Sequence, residues 1–98
     1  MTYATAAVLQ ALDAGCRHGF EIIEAVGVRS GTVYPVLRRL EEERLVRSRW
    51  EPVHEARNAG RPPRRYYELT AAAEPLLERA RSTYPAERHL PALGDARG

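Results

Sequence analysis

The sequence predicts a small α+β domain, mainly helical, built from three helices, a two-stranded hairpin and a C-terminal helix. Three observations predict it. Apolar residues recur at intervals of three and four from Val8 to Leu40, the period of helices packed on a core. After Leu45 the period changes to two, in "VRSRWE" and again in "RRYYEL", the period of strands. The length of 98 residues is enough for one compact domain and too short for two, so any function must share a single modest core.

Thr2 is placed to cap a first helix running through about Ala14, with Val8, Leu9 and Leu12 on its apolar side and Gly15 as its stop. The run "HGFEIIEAV" fits a second, shorter helix in which Phe20, Ile23 and Val26 recur on the apolar side, Glu21 and Glu24 are polar, and Gly27 ends the run. The four residues "GVRS" then lead to a third helix, "SGTVYPVLRRLEEERLV", with Ser30 as its cap. Two helices joined by so tight a turn cross steeply.

In the third helix Val33, Val36, Leu37 and Leu40 share one side at helical spacing and are expected to pack on the first two helices. At about 100° per residue, the opposite side collects Gly31, Tyr34, Pro35 and Arg38, with Thr32 and Arg39 on one flank. Gly31 and Pro35 leave the first turn slim and stiff. Thr32, Tyr34, Arg38 and Arg39 supply hydroxyls and positive charge to whatever approaches. Pro35 removes one backbone hydrogen bond, a smaller loss near a helix start than in its middle. Taken alone, the same pattern also describes an ordinary solvated face.

In the hairpin, Val46, Ser48 and Trp50 alternate with Arg47, Arg49 and Glu51, and Arg65, Tyr67 and Leu69 alternate with Arg64, Tyr66 and Glu68. Its apolar side is expected to close over the helices, with Trp50 as a core or hairpin anchor. The connecting "PVHEARNAGRPPRR" is long for a hairpin loop and is expected to be mobile and solvent-facing; from Arg57 to Arg65 it holds Arg57, Arg61, Arg64 and Arg65 and no acid. Within it, "AGRPPRR" bears a faint likeness to Arg-Pro segments that lie in minor grooves, although a simple basic loop has the same composition. Thr70 is placed to cap a last helix carrying Leu76, Leu77 and Ala80, which Pro75 should bend or delay. From Tyr84 onward, prolines, mixed charge and small residues predict a frayed tail.

Charge is distributed unevenly. From Arg29 to Arg65 lie ten arginines against five glutamates, a balance of +5, whereas the whole chain carries +2. A positive middle suggests a surface for a polyanion. All the cations other than histidine are arginine, which suits phosphate and guanine but is also what a GC-rich genome would produce. With 44% hydrophobic and 29% charged residues the composition is that of a soluble globular protein, and no apolar run approaches a membrane span. The N-terminus lacks the basic flank and apolar stretch of a signal peptide, so a cytoplasmic location is expected. Cys16 stands alone and reads as a bystander thiol, and "CRH" offers too few ligands for a metal. His18, His54 and His89 stand in unrelated contexts, and no Ser-His-Asp set, carboxylate pair, metal cluster or phosphate loop appears. The chain therefore reads as a non-enzyme with no cofactor and no catalytic or metal site.

Three helices, a basic-tipped hairpin and a terminal helix make the winged variant of the helix-turn-helix. The blocks "HGFEII", "SGTVYPVLRRLEEERLV" and "GRPPRRYYELT" resemble, in this order, the signatures of the PadR family of bacterial transcriptional regulators, over about Val8 to Leu77. The resemblance implies a homodimer that binds an inverted repeat in double-stranded promoter DNA, usually as a repressor, with one recognition helix per subunit in the major groove, and with a small-molecule effector in some members. It carries Ser30, Thr32, Tyr34, Pro35 and Arg38 onto the recognition helix and Arg61, Arg64 and Arg65 onto the wing. The chain departs from the family pattern in the short "EAVGVRS" connection, in Arg44 where a glycine is usual, in Ala73 where the last helix often has glycine, and in a short terminal helix. The alternative reading is a winged helix used only for protein contacts.

Under the DNA reading, Gly31 lets the first-turn amides come close to phosphate. Ser30, Thr32 and Tyr34 bond phosphates or meet base edges. Arg38 is placed to contact a guanine or a phosphate, and Arg39 with the wing arginines to hold the backbone. The expected organisation is a DNA-binding domain over residues 1–70, a dimerisation helix over 71–83 and a tail over 84–98. The dimer contact is expected from Ala4, Ala7 and Ala11 of the first helix with Leu76, Leu77 and Ala80 of the last.

Overall fold

The computed structural model describes residues 1–85; the expectations for the rest of the tail, His89 included, lie outside the described residues. The chain forms α1 (Tyr3–Asp13), α2 (Gly19–Val26), α3 (Ser30–Glu42), β1 (Val46–Trp50), a short α4 (Val53–Asn58), β2 (Arg65–Leu69), a single 3₁₀ turn (Ala71–Ala73) and α5 (Glu74–Thr83). This is the mainly helical winged helix-turn-helix that the periodicity predicts. Val33, Val36, Leu37 and Leu40 of α3 are all buried, together with Val8, Leu9 and Leu12 of α1 and Ile22 and Val26 of α2.

Thr2 caps α1, its hydroxyl accepting the Thr5 N–H at 3.1 Å. Ser30 does not cap α3. It is the first helical residue, and the Arg29 carbonyl, one residue earlier, accepts the N–H groups of Thr32 and Val33 at 2.9 Å each. Thr70 is not a side-chain cap either. Its hydroxyl donates to the Arg44 carbonyl at 2.8 Å, and a 3₁₀ turn intervenes before α5, with Pro75 in that helix's first turn, where a missing N–H is harmless.

Phe20 departs from the expected face of α2. The helix buries Ile22 and Val26 and leaves Phe20 exposed, because α2 begins only at Gly19 and its register turns Phe20 away from α1. Trp50 likewise is no core anchor: the alternation that buries Val46 fades along β1, and Trp50, at its outer end, is exposed.

The end of α3 holds the backbone's one strained non-glycine among the described residues, Arg44 at φ 62°. The Leu45 N–H bonds back to the Leu40 carbonyl at 2.9 Å and the Arg44 N–H to that of Glu41 at 3.0 Å, the paired bonds of a left-handed helix stop. An L-residue in this conformation costs about 1–2 kcal/mol. Arg44→Gly should therefore raise stability by about 0.5–1 kcal/mol after the extra freedom glycine gives the unfolded chain, a shift of a few degrees in Tm by thermal melting.

β1 and β2 pair antiparallel, Val46 opposite Leu69 and Trp50 opposite Arg65. The turn before α2 is joined to this hairpin: His18 bridges Tyr66, and the Tyr67 N–H donates to the Arg17 carbonyl at 2.7 Å. The wing is thereby held at a fixed angle to the helix-turn-helix. Between the strands, the expected open loop is instead built around α4, which is closed by Gly60 at φ 72°. α5 lies on α1, where the buried Gln10 amide donates to the carbonyls of Ala80 at 3.3 Å and Tyr84 at 2.8 Å, satisfying the helix end. No helix among the described residues is long and apolar enough to cross a membrane.

Candidate nucleic-acid interface

α3 presents Ser30, Gly31, Thr32, Tyr34, Pro35 and Arg38 to solvent, on the side opposite its buried valines and leucines. The space around Gly31 is open, so packing does not demand a glycine there; what it contributes is a bare first turn. Tyr34 is 44% exposed and its ring lies against Gly19 at the start of α2, where an added methyl group would overlap it. The "HGF" of α2 and the "TVYP" of α3 are thus parts of one surface. Arg38 is exposed and makes no hydrogen bond or ion pair among the described residues. Arg39 is turned elsewhere: its guanidinium donates to the Thr5 hydroxyl at 2.6 Å and lies beside α1.

In the wing, Glu51 is only 5% exposed. Its carboxylate accepts both Arg61 guanidinium nitrogens at 2.5 and 2.9 Å, the Arg64 N–H at 3.2 Å and the Tyr66 hydroxyl at 3.0 Å. The Arg61 bond above all, then the Arg64 amide and the Tyr66 hydroxyl, outweigh the effect of burial and hold its pKa down at about 2. Local chain geometry delivers Arg61 to this site. With Gly60 left-handed, the Arg61 N–H returns to the Ala56 carbonyl at 3.1 Å and the side chain turns back to Glu51. Arg61 is therefore a tie that folds the wing tip, its guanidinium occupied by Glu51.

The positive middle is sorted by these pairings. Arg47 pairs with Glu68 at 2.6 Å, both well exposed, and Arg65 pairs with Glu41 at 3.5 Å while stacking on Trp50 at 5.0 Å. Arg17 and Arg49 stand over Tyr66 at 4.6 and 5.1 Å. Arg57, on the last turn of α4, is exposed and makes no ion pair among the described residues. Burial lowers the pKa of the His18 imidazole, and the cations of Arg64, Arg61 and Arg17 lower it further against the opposing Glu21 carboxylate. Burial raises the pKa of the Cys16 thiol, with Glu21 adding to it, which makes it a poor nucleophile.

The residues expected at a dimer contact are largely used inside the protomer. Ala7, Ala11, Leu77 and Ala80 are buried in the contact of α1 with α5, while Ala4 and Leu76 are half-buried. The small side chains do permit close helix approach, but to a helix of the same chain. Sequence reasoning missed Glu51, Gly19 and the exposed Phe20 and Trp50. For Glu51 no local signal exists, since its burial depends on a partner ten residues away.

Residues 8–79 match the sequence profile of the transcriptional regulator PadR-like family. Among solved structures, a PadR-like transcription factor from Bacteroides fragilis is 25% identical, with a TM-score of 0.66 over 86% of this chain and 82% of that one. A PadR family transcription regulator from hypervirulent Clostridium difficile R20291 has a TM-score of 0.71 at 22% identity, over 99% of this chain and 100% of the other. The circadian clock associated protein Pex from Anabaena shares the fold, with a TM-score of 0.67 at 19% identity over 88% of this chain and 77% of that one. No curated protein matches the sequence. With the profile spanning most of the chain, this protein belongs to the PadR-like family of transcriptional regulators.

Proposed function

We propose that the chain is a sequence-specific DNA-binding regulator that represses transcription from a cytoplasmic promoter, binding an inverted repeat as a homodimer. The observation that carries this reading is the bare outer face of α3, with Arg38 exposed and uncommitted beside a wing held at a fixed angle. A helix fits the major groove, where a guanidinium can bond both acceptors of guanine, and Ser30, Thr32 and Tyr34 supply hydroxyls for phosphates or base edges. Arg57, Arg64 and Arg65 serve as backbone contacts, which position the protein without reading sequence. Arg61 and Arg39 support the fold of this surface. Two copies with recognition helices about 34 Å apart would match successive turns of the duplex. Of the small and apolar residues on α1 and α5, Ala4 and Leu76 are those the protomer leaves partly open to a second copy.

The test is binding to the DNA upstream of the protein's own gene, footprinted and then titrated with variants. Arg38→Ala should cost about 1–3 kcal/mol on the best site and relax the preference at one position per half-site. Arg57→Ala should weaken specific and random duplexes alike and lower the log–log salt slope by about 0.9. A loss from Arg38→Ala that is equal on every sequence would reassign Arg38 to phosphate. An absence of any salt-dependent binding would remove the DNA reading.

A further inference from the structure

Phe20, Tyr34 and Trp50 come from three different elements, the start of α2, the outer face of α3 and the far end of β1, yet they line one cleft of about 370 Å³. They are also three of the five large hydrophobic side chains left exposed among the described residues, at 62%, 44% and 62%. The remaining lining is His18, Gly19, Pro63, Arg64, Arg65 and Tyr67, so the cleft has aromatic walls and a cationic rim. Gathering exposed rings in one place leaves a patch of apolar surface in contact with water, which a partner covering it would relieve.

The occupant is indicated by position and charge. The cleft lies between the two parts that the proposed function places on DNA, the recognition helix and the wing, and its charged side chains are both arginines. Among the described residues no carboxylate lines it, with Glu41 as a counter-charge at its rim, 3.5 Å from Arg65. A ligand matching this surface is a chain with anionic groups separated by apolar rings, which describes a sugar–phosphate strand.

Resting on the DNA reading, we propose that this cleft grips the single sugar–phosphate strand that passes between the groove read by α3 and the groove entered by the wing, with deoxyribose against Phe20 and Trp50 and the flanking phosphates on Arg64, Arg65 and the Tyr34 hydroxyl. Arg65 is already stacked on Trp50 at 5.0 Å, so its guanidinium is held at the rim before DNA arrives. Such a grip reads no base. It sets the depth to which α3 enters its groove and therefore affects all sequences equally.

Trp50 is the single tryptophan of the chain, so its fluorescence reports the cleft directly. On titration with a duplex carrying the upstream site, and with a random duplex, emission should change saturably and in step with anisotropy of the labelled DNA. Phe20→Ala and Trp50→Ala should each weaken both complexes by the same factor, about five- to tenfold, with the log–log salt slope unchanged, since no phosphate contact is lost. Arg64→Ala should lower the slope by about 0.9 instead. Both rings are exposed, so the variants should melt with the wild type.

Wild-type protein that binds DNA while Phe20→Ala and Trp50→Ala bind it equally well would overturn the proposal and leave the DNA reading standing. A change in the sedimentation of the free protein on either substitution would overturn it in favour of a contact between copies of the chain. Wild-type protein that binds neither duplex would overturn the DNA reading and this proposal with it.

Discussion

Leu77→Glu should leave the protein largely unfolded at ordinary temperature. Leu77 is 2% exposed in the core shared by α1, α3 and α5, so the substitution removes a buried side chain and sets a carboxylate in its place. Truncation alone, Leu77→Ala, should cost about 2–5 kcal/mol, against a total stability of roughly 5–15 kcal/mol for a domain of this kind. The buried charge adds to that loss. The expected result is a fall of roughly 10 °C or more in Tm for Leu77→Ala and no cooperative melting for Leu77→Glu, followed by circular dichroism. The alternative, in which Leu77 serves a dimer contact, predicts a folded Leu77→Glu monomer with near-normal melting and a reduced sedimentation coefficient. The two outcomes are opposite. Burial of Leu77, Ala80, Ala7 and Ala11 within one chain favours the first.

Glu51→Gln should release the wing tip while leaving the helical core folded. The amide keeps the shape but cannot take both Arg61 nitrogens, the Arg64 N–H and the Tyr66 hydroxyl as a charged acceptor, and it leaves the Arg61 guanidinium without its counter-charge. Trypsin should then cut after Arg57 on the order of tenfold faster, with cleavage confined to the wing; the Arg61–Pro62 bond resists trypsin in either protein. The adjacent Trp50 should report a changed environment.

Acid provides an independent check. The Glu51 carboxyl is held near pKa 2 against an ordinary 4.5, so its contribution is fully present above about pH 4.5 and is lost as the pH falls toward 2. The stability difference between wild type and Glu51→Gln should therefore be constant from neutral pH to about 4.5 and narrow below it. A difference that stayed constant down to pH 2 would mean that Glu51 is not paired in the folded protein.

The sequence by itself determined the elements and the direction each faces wherever a repeated pattern was long enough to count. Val33, Val36, Leu37 and Leu40 fix the inner side of α3 and so its outer side, because four residues at helical spacing leave one rotation that buries them all. Thr2 and Gly27 mark helix ends through backbone chemistry that acts within four residues. Even α4 left a trace: Gly60, just beyond its end, is the usual left-handed stop of a helix. The long gap between the strands and its run of arginines hid it.

Only the tertiary structure decided which charges are available to a partner. In sequence Arg61 and Arg57 are equivalent members of one basic loop; in the fold the first is held by a buried carboxylate and the second points to solvent. Glu51, in strand alternation with Arg47 and Arg49, reads as an outward residue, and it is buried beneath Arg61, the Arg64 amide and Tyr66. Phe20 reads as core and Trp50 as a core or hairpin anchor, and both rings lie outside the core, since a short helix and a strand end carry too few apolar neighbours to define a face. The common reason is range. Helix periodicity and caps are settled by neighbours within a turn, whereas the partner of a charge or an aromatic ring is chosen by how whole elements pack, and no local pattern records that choice.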